Sequence, residues 1–127
     1  VDMGGTSFDI TLAKDGQTNL NRNIDFLRHR IGVPMIHVET LGAGGGSIAH
    51  INTFGMLEVG PHSAGASPGP ACYGKGGERA TVTDANLALG YLRPDAVLGG
   101  SIRLENRRAK DSVTGLDCEV TLPLAQT

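Results

Sequence analysis

The residues best suited to chemistry stand at the start of the chain. Val1-Asp2-Met3-Gly4-Gly5-Thr6-Ser7-Phe8-Asp9 sets two glycines and two hydroxyls between two carboxylates. Adjacent glycines permit a sharp turn and leave no side chain in the way of a ligand. The amides of such a turn, beside the Thr6 and Ser7 hydroxyls, form a concave donor set suited to phosphate oxygens. Asp2 and Asp9 flank that set, and a phosphate beside carboxylates calls for a divalent cation between them. Magnesium is the usual ion, because it keeps several waters and takes one or two carboxylates plus phosphate oxygens. The pattern predicts half of a nucleotide-phosphate site. Gly4, Gly5, Thr6 and Ser7 would hold phosphate, Asp2 would reach the metal, and Asp2 and Asp9 would be the catalytic carboxylates. An ordinary hairpin turn is the plain alternative, and on an alternating strand Asp9 could equally point away.

A second ligand-facing feature lies downstream. Met35–Leu41 reads as a short strand running into Gly42-Ala43-Gly44-Gly45-Gly46-Ser47. Gly44, Gly45 and Gly46 would let the backbone approach a ligand, with Ser47 as a donor; a tight crossover would need the same glycines for backbone reasons alone. The spacing is not a dinucleotide fingerprint, and no Gly-Lys-Ser/Thr follows as in a Walker loop. His37 and Glu39, two apart on a strand, share a face and with Asp2 form a candidate metal set. Cys72 beside Tyr73 reads as a buried thiol rather than a nucleophile, with no basic neighbour to lower its pKa. Asp84 and Asn86 enter a helix where α/β proteins place ligand contacts, although capping explains Asp84 equally well.

The elements that must position these residues are short. Phe8, Ile10 and Leu12 alternate with polar or small residues, and Asp15-Gly16 marks a tight hairpin, so residues 1–22 read as strand, turn, strand, turn, strand. Residues 23–31 fit strand or loop. A second hairpin is expected from Ser47–Ile51 and Met56–Val59 around Asn52–Gly55. Residues 60–77 lack periodicity, yet their small apolar residues and Cys-Tyr pair fit an ordered loop packed on the core. Ala80–Val82 reads as a strand, after which Thr83 or Asp84 caps a helix through Leu89, with Gly90 at its end and Leu87 and Tyr91 on one face. The pattern turns helical at Glu105, breaks near Ser112–Gly115, and leaves a tail of weak strand-like alternation over 116–127.

Composition narrows the class. A net charge of −2 without a basic stripe argues against nucleic-acid binding. No apolar run reaches the roughly 20 residues of a membrane span, and two cysteines are too few for a disulfide framework. The expectation is a cytoplasmic α/β protein with a mixed α+β sheet. The motif is already under way at Val1, without an initiating Met, which fits a fragment of something longer.

Five phrases in order carry a resemblance: Asp2-Met3-Gly4-Gly5-Thr6-Ser7, residues 42–49, residues 60–66, Pro68-Gly69-Pro70-Ala71-Cys72-Tyr73-Gly74, and residues 81–87. Over residues 1–110 the chain resembles the hydantoinase A/5-oxoprolinase family, which includes N-methylhydantoinases and the nucleotide-binding subunits of acetone and acetophenone carboxylases; residues 111–127 depart from that pattern. The resemblance implies an actin-like, sugar-kinase-like ATPase fold of ribonuclease H type, with Asp2–Ser7 as the later of two facing phosphate turns. It further implies ATP and Mg2+ as cofactors, activation of a cyclic amide carbonyl by phosphorylation, and a hydantoinase B-type partner. Family members tend to carry an acid where His37 stands, which weakens the metal role there. A carboxylase subunit, or a non-catalytic piece keeping the framework, are the alternatives. The isolated chain is expected to be inactive.

Overall fold

The computed structural model describes the backbone of residues 1–120 and the side chains of residues 1–116. It is a mixed α/β arrangement of short antiparallel strands followed by two helices. The strands are β1 (Asp2–Met3), β2 (Phe8–Ile10), β3 (Ala13–Lys14), β4 (Gln17–Thr18), β5 (Leu20–Asn21), β6 (Ile24–Phe26) and β7 (His29–Ile31). After these come β8 (Met35–Ile36), β9 (Glu39–Leu41), β10 (Ser47–Ile51) and β11 (Leu57–Ser63). Helix α1 (Val82–Ala88), strands β12 (Val97–Leu98) and β13 (Ile102–Arg103), and helix α2 (Asn106–Val120) complete the order.

Strands β1, β2 and β9 form a three-stranded sheet. The β3–β4 hairpin turns on Asp15 and Gly16, both at positive φ (53° and 75°), the conformation an Asp-Gly turn favours. Residues 24–31 resolve into the β6–β7 hairpin, with Leu27 and Arg28 at positive φ. The continuous strand expected over Met35–Leu41 is interrupted at His37 and Val38. There β8 pairs with β5 while β9 pairs with β2. The His37 backbone changes partners on the way: its amide donates to the Asn19 carbonyl at 2.9 Å, and its carbonyl accepts from the Thr11 hydroxyl. The expected second hairpin is present as β10–β11, its loop closed by Asn52 Oδ1, which accepts from the Phe54 and Met56 amides.

Residues 80–82 are not a strand. Thr81 makes a single bridge to Ile48 and then caps α1, two residues earlier than the nearest position the pattern offered. The cause is a capping box between Thr81 and Asp84, which satisfies two amides at the start of the helix. The helix stops at Leu89, and Gly90 follows at φ 83°; Tyr91 therefore leaves the Leu87 face and is 80% exposed.

The tail differs most from expectation. The helix expected from Glu105 forms as α2 (Asn106–Val120). It runs through Ser112–Gly115 without the expected break and on to Val120 in place of strand-like alternation, and residues 121–127 lie outside the described part. Thr114 and Gly115 are weak helix formers, but α2 packs on α1, and packing outweighs propensity. The core sits there: Cys72, Leu87, Leu104 and Ala109 are buried, with Tyr73, Leu92 and Leu98 against them. Residues 60–63, expected in the loop, extend β11, because Ser63 pairs with Ser47. Residues 64–77 form the expected loop, with a one-turn 3-10 helix at Ala71–Tyr73 whose Ala71 and Cys72 are buried.

Candidate functional site

The two glycine-rich loops meet. Gly45 and Gly46 donate their amides to the carbonyls of Gly4 and Gly5 at 2.9 and 2.7 Å. A β-carbon on Gly44 would lie 2.6 Å from both the Gly4 carbonyl oxygen and the Thr6 nitrogen. The loop glycines are thus required for close backbone approach, whatever binds nearby. Ser47, expected as a ligand donor, is fully buried, and its hydroxyl accepts from the Gly44 amide at 2.8 Å. Its place is inside the loop, holding it in shape.

The first turn is open on its outer side. Gly4 donates to the Ser7 carbonyl at 2.9 Å, whereas the Gly5 and Thr6 amides have no backbone acceptor among the described residues. Asp2 through Thr6 are exposed. A cavity of about 570 Å³ runs along the turn. Of the residues proposed to hold phosphate, Gly4, Gly5, Gly45 and Gly46 line it, and Thr6, Ser7, Gly44 and Ser47 do not.

Register decides where the carboxylates stand. Asp2 lies opposite Asp9, and Asp9 opposite Thr40, in one row across the sheet. Residues directly opposite share a face, and neighbours along a strand point to opposite faces. Asp2, Asp9 and Thr40 therefore occupy one face, while Met3, Phe8 and Leu41 occupy the other, where Met3 lines the cavity. The Thr40 hydroxyl donates to Asp9 Oδ1 at 2.6 Å. Glu39 pairs with Ile10 and so lies on the face away from Asp2. His37 Nε2 is 2.8 Å from Glu39 Oε1, and its Nδ1 is 2.8 Å from Asn21 Nδ2. The metal set of Asp2, His37 and Glu39 is thus not brought together. Among the described residues no group of three or more His, Cys, Asp or Glu side chains could hold a metal ion.

The scaffold behind the cavity hangs on α1. The Thr83 amide and hydroxyl both donate to the Gly45 carbonyl, at 2.9 and 2.8 Å. The next residue, Asp84, is fully buried and accepts from the amides of Ala71 (3.2 Å), Cys72 (2.8 Å) and Thr81 (2.9 Å) and from the Thr81 hydroxyl (2.8 Å). Capping and loop-holding account for all four of these bonds, so Asp84 is a structural residue. Burial, with the adjoining Asp84 carboxylate, pushes the Cys72 thiol up to about 12, which fits the inert buried thiol the sequence indicated.

A hydantoinase/oxoprolinase family model matches residues 1–124. The chain belongs to the hydantoinase/oxoprolinase family. The match runs past residue 110, across helix α2. Among relatives in this family, caprolactamase subunit alpha of Pseudomonas jessenii is 73% identical over 113 residues, covering 89% of this chain and 16% of that protein. The acetophenone carboxylase gamma subunit of Aromatoleum aromaticum is 43% identical over 117 residues, covering 88% of this chain and 16% of that protein. The crystal structure of the ATP-dependent caprolactamase from Pseudomonas jessenii superposes with a TM-score of 0.70 at 72% identity, over 89% of this chain and 16% of that one. A nucleotide-free acetone carboxylase structure gives 0.67 at 33% identity, over 91% of this chain and 16% of that one. The chain thus spans about one-sixth of the length of these hydantoinase/oxoprolinase relatives. Among the described residues no helix is long and apolar enough to cross a membrane.

Sequence reasoning missed Lys75 and Thr83. Lys75 lines the cavity from within Gly74-Lys75-Gly76-Gly77, where glycine on both sides of a cation was the available signal. Thr83 was weighed only as a cap; its bond to Gly45 depends on a contact 38 residues away in sequence, which no local pattern encodes.

Proposed function

We propose that this chain supplies one half of the nucleotide-phosphate site of an ATP-dependent enzyme that opens cyclic amides. The observation that carries the reading is the Gly4-Gly5 turn, braced from behind by Gly45 and Gly46 and exposed along a cavity in front. Phosphoryl transfer depends mainly on positioning and charge neutralisation, and a fixed turn with free amides provides the positioning. The whole polypeptide would have an actin-like fold, two ribonuclease H-type lobes with nucleotide between them. This chain would then belong to one lobe, and an equivalent Asp-Gly-Gly-Thr turn to the other. Apolar side chains left exposed here, such as Met35, Ile36 and Phe26, fit burial against further parts of a longer protein.

The aspartate row has the donor chemistry for magnesium, although neither carboxylate lines the cavity in front of Gly4 and Gly5. Asp2 and Asp9 stand opposite one another, and like charges in that position repel. Among the described residues neither forms an ion pair with a basic side chain. One or two carboxylates completed by phosphate oxygens and water suit a nucleotide-borne magnesium better than an all-protein cage. When bound, the ion neutralises phosphate charge. The Gly5 amide orients phosphate oxygens, and Asp9 is itself held by Thr40.

In the reaction the terminal phosphoryl group of ATP passes to the lactam carbonyl oxygen and ADP leaves. Water then adds to the activated carbon, the ring C–N bond breaks to give an amine and an acyl phosphate, and a second water releases phosphate and the free acid. Names among the relatives, an ATP-dependent caprolactamase and 5-oxoprolinases, support this substrate class. Carboxylation of an activated ketone is the second reading, resting on the carboxylase relatives at 43% and 34% identity. That several relatives are named as subunits supports a partner, of hydantoinase B type.

Calorimetric titration of Mg·ATP into the full-length polypeptide carrying this segment, and into its Gly5→Val variant, tests the reading. A β-carbon at Gly5 meets nothing within 4 Å, so the substitution places bulk on the open side of the turn, where a ligand would approach. Weaker binding in the variant is expected; equal affinity removes the phosphate role from this turn.

A further inference from the structure

Among the described residues, one side chain lining the cavity beside the Gly4-Gly5 turn carries charge. The other walls are glycine and alanine backbone, apolar side chains such as Met3, Pro70 and Leu92, and neutral polar groups such as Thr83 and Asn86. Lys75 is the exception, and among the described residues no carboxylate pairs with it. An unpaired ammonium lining the same cavity as the unbonded Gly5 amide is an arrangement for an anion.

The position of Lys75 is fixed from both sides. The preceding Gly74 closes the 3-10 turn at φ 65°, its amide donating to the Ala71 carbonyl at 3.2 Å. A β-carbon there would overlap the Glu105 carboxylate, and one on Gly77 would overlap the Gly69 carbonyl. The Glu105 amide in turn donates to the Cys72 carbonyl at 2.8 Å. Consecutive residues of α1 then link the two walls: Thr83 holds Gly45, and Asp84 holds Ala71 and Cys72, three residues before Lys75. The loop that carries Lys75 and the glycine wall are thus both tied to one helical turn.

The geometry points to Lys75 as a phosphate-binding residue that neutralises the nucleotide's polyphosphate across the cavity from Gly4 and Gly5. This rests on the nucleotide reading above, and deepens it by adding a cation from a loop outside the two glycine-rich turns at residues 4–5 and 44–46. Lysine acts here as a point charge, so the contact is electrostatic and sensitive to salt.

The test uses the full-length polypeptide with three substitutions, Lys75→Met, Lys75→Arg and Gly5→Val, each titrated with Mg·ATP at low and high ionic strength. Lys75→Met is expected to bind about tenfold more weakly at low salt, the loss expected for a hydrogen bond to a charged group. The deficit should shrink at high salt, and Lys75→Arg should keep most of the affinity. If Lys75→Met binds as the parent does while Gly5→Val is weakened, the Lys75 assignment is overturned and the nucleotide reading stands. A Lys75→Met deficit independent of salt also overturns it, because a packing defect would behave that way. If neither Gly5→Val nor Lys75→Met is weakened, the nucleotide reading itself falls, and Lys75 with it.

Discussion

The amide of Gly46 donates to the carbonyl of Gly5 at 2.7 Å, so the two glycine loops form one backbone-to-backbone joint. The joint divides the glycines into two kinds. Gly44 and Gly46 have no room for a side chain, since a β-carbon would lie 2.6 Å from Gly4 oxygen in the first case and 2.9 Å from Gly5 oxygen in the second. Gly5 has open space in front of it. Gly44→Ala should therefore destabilise the full-length protein by about 1–3 kcal/mol, the usual cost of overpacking. Gly5→Val should leave the melting temperature unchanged while weakening nucleotide binding. Thermal unfolding of the two variants side by side checks the division; equal destabilisation would mean that both glycines serve the joint.

Asp84 offers a second prediction. Its carboxylate accepts from the Ala71 and Cys72 amides and from the Thr81 amide and hydroxyl, all buried. Asp84→Ala strands those donors, and each buried unsatisfied group costs on the order of 1–3 kcal/mol. A loss of roughly 3 kcal/mol or more is expected, read by denaturant unfolding. Asp84→Asn should be destabilised too, because its amide nitrogen would face N–H donors. A neutral Asp84→Ala would show that the loop over 69–77 does not depend on this tie.

Cys72 and Tyr73 give the protein an alkaline limit. Desolvation raises the thiol from 9.0 to about 12, and desolvation also raises the Tyr73 phenol. Between about pH 9 and pH 12 the unfolded chain has released a Cys72 proton that the folded one keeps. The folded state then binds more protons, so stability is full below pH 9 and declines as pH rises through that window. Melting temperatures should fall from about pH 9 upward, and Cys72→Ala should fall less steeply, with Tyr73 keeping part of the slope. Identical pH profiles would remove Cys72 from the effect.

Asp2 separates catalysis from stability. The Asp2–Asp9 pair is repulsive, so Asp2→Asn should hold or raise the melting temperature, by a few tenths to about 1 kcal/mol in stability. Mg·ATP-dependent turnover of the full-length protein should nevertheless drop about 10–100-fold, as when a residue near a metal is altered. Unchanged turnover would exclude Asp2 from the site. The isolated chain, with one phosphate turn, should show no ATP hydrolysis at all.

Local chemistry made much of this readable in advance. Asp15-Gly16 specified its hairpin, Asn52–Gly55 its loop, and Gly90 the end of α1, because each depends on the dihedral or side-chain preferences of neighbouring residues. The reading failed wherever a distant partner intervened. Met35–Leu41 breaks at His37 because two different strands claim its halves. Residues 111–120 are helical although Thr114 and Gly115 argue against it, because α1 provides a surface to pack on.

An open turn at Gly4 and Gly5 flanked by acids follows from local chemistry, since glycine's freedom and a carboxylate's charge belong to the residues themselves. Only the tertiary structure decided what surrounds that turn. Strand register put Asp2 and Asp9 on one face and Glu39 on the other, and loop contact turned Gly44 and Ser47 inward. The first turn of α1 brought Lys75 toward Gly5, residues 70 positions apart, through hydrogen bonds whose partners no local pattern could name.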